Sequence, residues 1–214
     1  MTAASSFSGS GLACIRGGRL LFAGLGFSLE TGGCLLLTGP NGIGKSSLLR
    51  LMAGLLPAAA GRIKAETSLV YLGHADTLKA QLTVRETLAF WAHLAGRDDA
   101  AVDAAMTAYA LEPLATLPCR YLSAGQRRRV ALARVVADGA RLWLLDEPLT
   151  ALDDASVQAF ERTLAAHRAA GGLAVIATHG AIAAPDAATL EIARFAGSDL
   201  ADPFYRGLSV DREA

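Results

Sequence analysis

Eight residues, Gly39-Pro40-Asn41-Gly42-Ile43-Gly44-Lys45-Ser46, with Ser47 directly after them, carry the clearest chemistry in this chain. The spacing G-x-x-x-x-G-K-S is that of a phosphate-binding loop. Gly39, Gly42 and Gly44 let the backbone turn its N–H groups inward into a concave nest for phosphate oxygens. Lys45 brings a compact positive charge toward the β- and γ-phosphates, and Ser46 offers a hydroxyl to Mg²⁺, a hard cation that prefers oxygen ligands. These residue types in this order imply a bound nucleoside triphosphate.

A phosphate loop works only between a buried strand and a helix. The flanks supply both: the apolar run Cys34 to Thr38 leads in, and Ser46 to Ala53 leads out with helical spacing. Two more short, unalternating apolar runs, as in strands covered on both faces, end in residues suited to phosphate chemistry. Leu142 to Leu145 is followed by Asp146 and Glu147, and Leu173 to Ala177 by Thr178 and His179. In an open parallel sheet, ligands gather at the carboxyl ends of the strands. Asp146 is placed to hold Mg²⁺, directly or through water. Glu147 is placed to polarise an attacking water as general base, and His179 to contact the γ-phosphate and fix that water.

Between the loop and the second of these runs lies Leu122-Ser123-Ala124-Gly125-Gln126, ahead of an amphipathic helix from about 127 to 137. Ser123 is a good N-cap, and small Ala124 and Gly125 leave the helix N-terminus open to an anion. The chain already has one such site on its phosphate loop, so this second one is expected to complete the pocket of another subunit. From 81 to 113 the pattern is helical. Thr83 and Glu86 form a capping box, Val84, Leu88, Trp91 and Ala95 mark one apolar face, and a second alanine-rich helix runs from Asp98 to Ala110. Trp91 and Phe90 read as core of this helical segment.

Composition narrows the class. At 214 residues and 52% hydrophobic, the chain can bury one full domain core. Lys plus Arg and Asp plus Glu balance at 20 each, which argues against a polyanion-binding surface. The one strong basic run, Arg127-Arg128-Arg129, reads as a solvated helix face. No stretch of about twenty apolar residues is present, and the first ten residues lack the pattern of a signal peptide. Cys14, Cys34 and Cys119 are odd in number and widely spaced, fitting reduced thiols rather than a disulfide framework or a zinc site.

The ordered set of loop, Leu-Ser-Ala-Gly-Gln, Leu-Leu-Asp-Glu-Pro, Ala151-Leu152-Asp153 and Thr178-His179 resembles the ATP-binding subunits of ABC transporters over nearly the whole chain. The resemblance implies an α/β phosphate-loop NTPase fold of ABC type: a mainly parallel sheet core, an antiparallel β edge and a helical subdomain. It implies a nucleotide-binding core of about 1–80 and 135–214, a helical signature subdomain of about 81–134, and ATP hydrolysis of the translocase class. It further implies a head-to-tail homodimer with ATP between one chain's phosphate loop and the other's Ser123, Ala124, Gly125 and Gln126, with Asp153 near the seam. Integral membrane subunits are the implied partners, docked on the helical subdomain at the cytoplasmic side of a bacterial inner membrane.

Two positions depart from the family pattern. Arg16 stands where an aromatic residue usually stacks on adenine, and a guanidinium plane can also stack on a base. His74, in Val70-Tyr71-Leu72-Gly73-His74, stands where a glutamine usually senses Mg²⁺ and the attacking water. Imidazole can hydrogen-bond that water, but as a metal or haem ligand His74 has no partner at ligand spacing. The segments Tyr71 to His74, Leu122 to Arg134 and Leu142 to Pro148, with little chain after His179, are similar to the ATPases of cytochrome c maturation, the haem exporter group. For that group ATP hydrolysis is expected to drive release of a haem-loaded chaperone across the membrane, with no haem or nucleic acid bound by this chain. Alternatives are the ATPase of another ABC transporter, or a soluble ABC ATPase of translation or DNA repair. The single phosphate loop and the short gap from Gly44 to Leu122 speak against the soluble readings.

Overall fold

The computed structural model describes residues 6–76 and 78–196. The expectations about the N-terminus and the short tail rest in part on residues 1–5 and 197–214, which lie outside the described residues. Among the described residues, two sheets and five α-helices enclose two cores. β1 (Ser6–Arg16) and β2 (Arg19–Glu30) form a hairpin through Gly17 and Gly18, and β4 (Ala60–Ala65) pairs antiparallel with the other edge of β1. The second sheet is parallel, in the order β5 (Leu69–Leu72), β6 (Leu142–Asp146), β7 (Leu173–Ala177), β3 (Cys34–Thr38), β8 (Ala188–Glu191). The antiparallel strands thus make a sheet of their own.

The apolar strands are short and unbroken because both of their faces are covered. Along β6, Leu142 and Leu144 face a core shared with α1 (Lys45–Met52) and the antiparallel sheet, including Phe7, Phe22 and Leu48. Trp143 and Leu145 face the opposite core, built with α2 (Val84–Leu94), α3 (Asp99–Ala108), α4 (Ala124–Asp138) and α5 (Asp154–Ala169). β7 alternates in the same way, with Val175 on one side and Ile176 on the other. This period of two fixes which strand residues reach the site and which fill the core.

α2 and α3 pack on α4, which in turn lies against β5 and α5. α2 starts at the expected capping box: Thr83 Oγ1 accepts from the Glu86 backbone N–H, and Glu86 accepts from the Thr83 N–H at 2.8 Å. Its buried face differs from the expected one. Val84, Thr87, Leu88 and Ala92 are buried, Trp91 is half-buried under the Arg134 guanidinium, and Phe90 is exposed. Thr87 joins the buried stripe with its hydroxyl 3.3 Å from the Cys119 thiol, a polar contact that periodicity of apolar residues does not register. α4 begins three residues before the expected start, so its first turn contains the Ala124-Gly125-Gln126 segment itself.

Candidate functional site

The nucleotide-binding elements meet at the carboxyl ends of β3, β6 and β7. A cleft of about 420 Å³ there is lined by Leu21, Asn41, Gly42, Gly44, Lys45, Ser46, Ser47, His74, Asp146, Glu147, Thr150 and His179. The loop owes its path to glycine. Gly39 and Gly44 sit at φ 138° and 116°, and a Cβ at Gly44 would press on Phe22 and Leu21. Pro40 and Ile43 shape the turn from outside: Ile43 N–H donates to the Pro40 carbonyl at 3.4 Å, and the Ile43 side chain covers Gly39. Gly44 is also the N-cap of α1 and offers no side-chain cap, which leaves the first N–H groups of that helix open toward the cleft.

Lys45 is buried, and each of its three N–H donors has an acceptor. Nζ donates to the carbonyls of Gly39 at 2.8 Å and Pro40 at 3.3 Å, and to His179 Nε2 at 2.9 Å. Burial lowers the Lys45 pKa, while Glu147 and Asp146 act in the opposite sense. An Nε2 that accepts from Lys45 carries its proton on Nδ1. Glu147 Oε1, 3.3 Å from the same nitrogen, therefore faces a lone pair, in agreement with its lack of a hydrogen-bond donor. The other Glu147 oxygen accepts from the His179 backbone N–H at 3.4 Å.

Asp146 is 1% exposed, and its Oδ2 has no hydrogen-bond partner. A buried carboxylate oxygen without a donor is costly unless a cation completes it. Ser46 lines the same cleft. Glu147 follows with φ 50°, a left-handed conformation that is uncommon outside glycine, and its N–H donates to Ala177 O at 2.9 Å. Strain of this kind clusters where a side chain must be aimed.

The structure does not bring every expected residue to the cleft. Arg16 closes β1 beside the Gly17-Gly18 turn and is exposed, outside the cleft lining, while Leu21 of β2 forms part of the wall. Ser123, Ala124, Gly125 and Gln126 also lie off the cleft. Ser123 and Gln126 close on each other, with Gln126 N–H donating to Ser123 Oγ at 3.2 Å and Ser123 N–H to Gln126 Oε1 at 2.8 Å. Gly125 packs against the Ala151 carbonyl so closely that a Cβ would sit 2.9 Å from it. Asp153 caps α5, accepting from Ser156 N–H at 2.9 Å, so it shares this side of the molecule with the Leu122–Gln126 segment. His74 lines the cleft and belongs to no cluster of three or more His, Cys, Asp or Glu residues among the described residues.

Arg128 corrects the reading of its run as a solvated face. It is 3% exposed, and its guanidinium reaches five acceptors around the Asp146–Pro148 turn and the His74 loop. Its neighbours are half-buried: Arg127 donates to Leu122 O at 2.7 Å and Arg129 to Tyr109 O at 3.3 Å. The missed signal is periodicity. Arg128 shares a helical stripe with Ala131, Leu132 and Val135, all buried. Thr150, also on the cleft wall, has no sequence signal of its own.

Fold and cleft together define a phosphate-loop nucleotide-binding domain. The ABC transporter family model matches residues 22–150. The cytochrome c biogenesis ATP-binding export protein CcmA of Rhodospirillum rubrum is 53% identical over 89% of this chain and 87% of its own length. The protein of the same name from Paramagnetospirillum magneticum is 52% identical over 90% and 96%, and that from Cereibacter sphaeroides 45% over 93% and 97%. Among solved structures, an ABC transporter ATP-binding protein from Pyrococcus furiosus superposes with a TM-score of 0.80 at 21% identity, covering 90% of this chain and all, 100%, of that one, a likeness of fold. The chain belongs to the ABC transporter family and, within it, to the group of these cytochrome c biogenesis ATP-binding export proteins. It is an ATP-binding, ATP-hydrolysing domain of ABC type. No helix among the described residues is long and apolar enough to cross a membrane.

Proposed function

We propose that this chain is the ATPase subunit of a membrane complex for cytochrome c biogenesis, working from the cytoplasmic face of the inner membrane. In this reading ATP hydrolysis drives release of a haem-loaded chaperone, and the chain itself contacts neither haem nor nucleic acid. The observation that carries the hydrolytic part is Glu147, strained at φ 50° and aimed beside His179 and Lys45 in one cleft. The biogenesis part rests on the names of relatives about half identical to this chain.

An incoming triphosphate would take Lys45 from the Gly39 and Pro40 carbonyls. Released from Lys45, His179 Nε2 can carry the proton and donate to the γ-phosphate. Glu147 then holds the attacking water and accepts its proton. Backbone N–H groups of residues 42–47 fix the β- and γ-phosphates, so catalysis is mainly positioning and electrostatics. Ser46 and Asp146 fit Mg²⁺, since one hydroxyl and one unpartnered carboxylate oxygen suffice when phosphates and waters fill the other positions. Mg²⁺ held there would neutralise charge developing on the transferred phosphoryl group. His74 faces the same space and can hydrogen-bond the water. Arg16 would stack on adenine beyond the cleft wall.

Ser123, Ala124, Gly125 and Gln126 lie off their own chain's cleft, which supports a head-to-tail homodimer in which they close on the partner's ATP, with Asp153 at the seam. The helical signature subdomain, about 81–134, would carry the membrane subunits, and the nucleotide core would comprise about 1–80 and 135–214. The test is a pull-down of tagged protein from detergent-solubilised membranes, with partners identified and bound haem read by absorbance. Recovery of cytochrome c maturation membrane subunits is expected. Recovery of unrelated permeases would remove the haem assignment and leave the ATPase.

A further inference from the structure

Arg128 spends every donor it has. Nε donates to Pro148 O at 3.1 Å; Nη1 donates to Gly73 O at 3.3 Å and Asp76 Oδ1 at 2.9 Å; Nη2 donates to Asp146 O at 2.9 Å and Glu147 O at 2.7 Å. A guanidinium has five N–H donors in a fixed planar fork, and five acceptors meet them. Three of those acceptors are the consecutive carbonyls of Asp146, Glu147 and Pro148. The other two bracket His74, one on Gly73 and one on Asp76.

The acceptors explain what the residue does. Glu147 sits at φ 50° with its N–H tied to Ala177 O, so the strand neighbour holds the peptide plane that precedes it. Arg128 holds the peptide plane that follows it, through Glu147 O. A left-handed conformation on a non-glycine residue persists only where its surroundings over-determine it, and these two bonds fix the backbone from both ends. The same side chain rises from α4, the helix whose first turn holds Gly125 against Ala151 O. One guanidinium therefore joins α4, the Glu147 turn and the His74 loop into a single block.

We propose that Arg128 is a positioning residue for ATP hydrolysis: it does not touch the nucleotide, and it acts by aiming the Glu147 carboxylate. The inference rests on the assignment of Glu147 as general base. Lysine cannot substitute, because an ammonium supplies three donors from one point and cannot span five acceptors.

The experiment measures single-turnover ATP hydrolysis and ATP-analogue binding for Arg128→Lys and Arg128→Gln, in full-length protein purified with its membrane partners, beside thermal melts. The single-turnover rate is expected to fall about a hundredfold, the cost of a misplaced catalytic group, while the dissociation constant changes by less than about threefold because Arg128 lies off the cleft. In a Glu147→Gln background the same substitutions should lower the residual rate by less than about threefold, since groups acting as one unit are not additive. A loss of structure alone would weaken nucleotide binding too and would not vanish in that background. If the Arg128 variants do not fold, Asp76→Ala carries the test, removing the outer anchor of the guanidinium at a partly exposed position; a fall of about tenfold supports the proposal, and an unchanged rate overturns it. Wild-type rates in the Arg128 variants with an inactive Glu147→Gln would overturn this inference and leave the base assignment standing. A Glu147→Gln protein that hydrolyses at the wild-type rate would overturn both, as multiplicative effects in the double variants would overturn the positioning role alone.

Discussion

Lys45 and Glu147 illustrate how single residues hold the site before any nucleotide arrives. With all three Lys45 donors engaged, the buried ammonium is held in the cleft against the cost of its desolvation. Lys45→Ala removes both the charge and the bond to His179 and is expected to weaken ATP binding by at least about a hundredfold in fluorescence titration, a charged hydrogen-bond pair being worth about 3 kcal/mol. Glu147→Gln keeps shape and loses the base, so it is expected to accumulate an ATP-bound dimer on size-exclusion chromatography; a monomer at saturating ATP would contradict the sandwich. The cysteines give a separate check. Burial pushes the Cys34 thiol up to about 11, against the opposing effect of Arg168, and burial also raises Cys14. Thiols held protonated are poor nucleophiles. In the folded protein neither should react with a maleimide at neutral pH, and both should react after unfolding in guanidinium.

At the level of elements, local rules carried far because helix caps need only a few residues. The Thr83–Glu86 box and the Asp98 cap of α3 each join groups three residues apart, and the box is legible in the sequence. Thr83→Ala should cost about 1 kcal/mol in urea unfolding and leave ATP hydrolysis unchanged, as Thr83 lies off the cleft. Longer-range choices were not legible. Nothing in the spacing of Val84, Leu88 and Trp91 shows that Thr87 has a thiol waiting on another segment, or that Arg134 of α4 covers Trp91 from 4.8 Å. The same holds for the arginine run: charge density suggests solvent, and only α4 packed against the Asp146–Pro148 turn shows five acceptors facing Arg128.

Over the whole molecule the parallel sheet divides two cores, and a half-buried histidine packs against one of them. His167, in the last turn of α5, stacks on Trp143 of β6 with ring centroids 3.9 Å apart and contacts Leu173 O at 3.2 Å. Burial lowers its pKa from 6.5, outweighing the backbone hydrogen bonds that act the other way. Because the folded value is depressed, the unfolded chain binds the proton first as pH falls. The stability His167 contributes is present above its unfolded value and is lost as pH drops below it toward the folded value. Melting temperature should therefore decline on going from neutral pH to mildly acid pH, with His167 supplying a slope of at most about 1.4 kcal/mol per pH unit. His167→Gln should flatten that part of the curve in a pH series of thermal melts. An identical slope in the variant would place the titration elsewhere.

The sequence by itself determined the phosphate loop, the strands that end at Thr38, Asp146 and Ala177, and the helix caps, because each depends on neighbours within a few residues. Chain order alone also put Lys45, Asp146, Glu147 and His179 at the ends of buried strands or in the turns after them, and parallel strands deliver such ends to one edge. Only the tertiary structure decided how those ends are locked. The left-handed Glu147, the Lys45–His179 bond across 134 positions and the five-fold engagement of Arg128 each join segments far apart in the chain. Such contacts are set by how the two cores close on the sheet, and no local pattern encodes that closure.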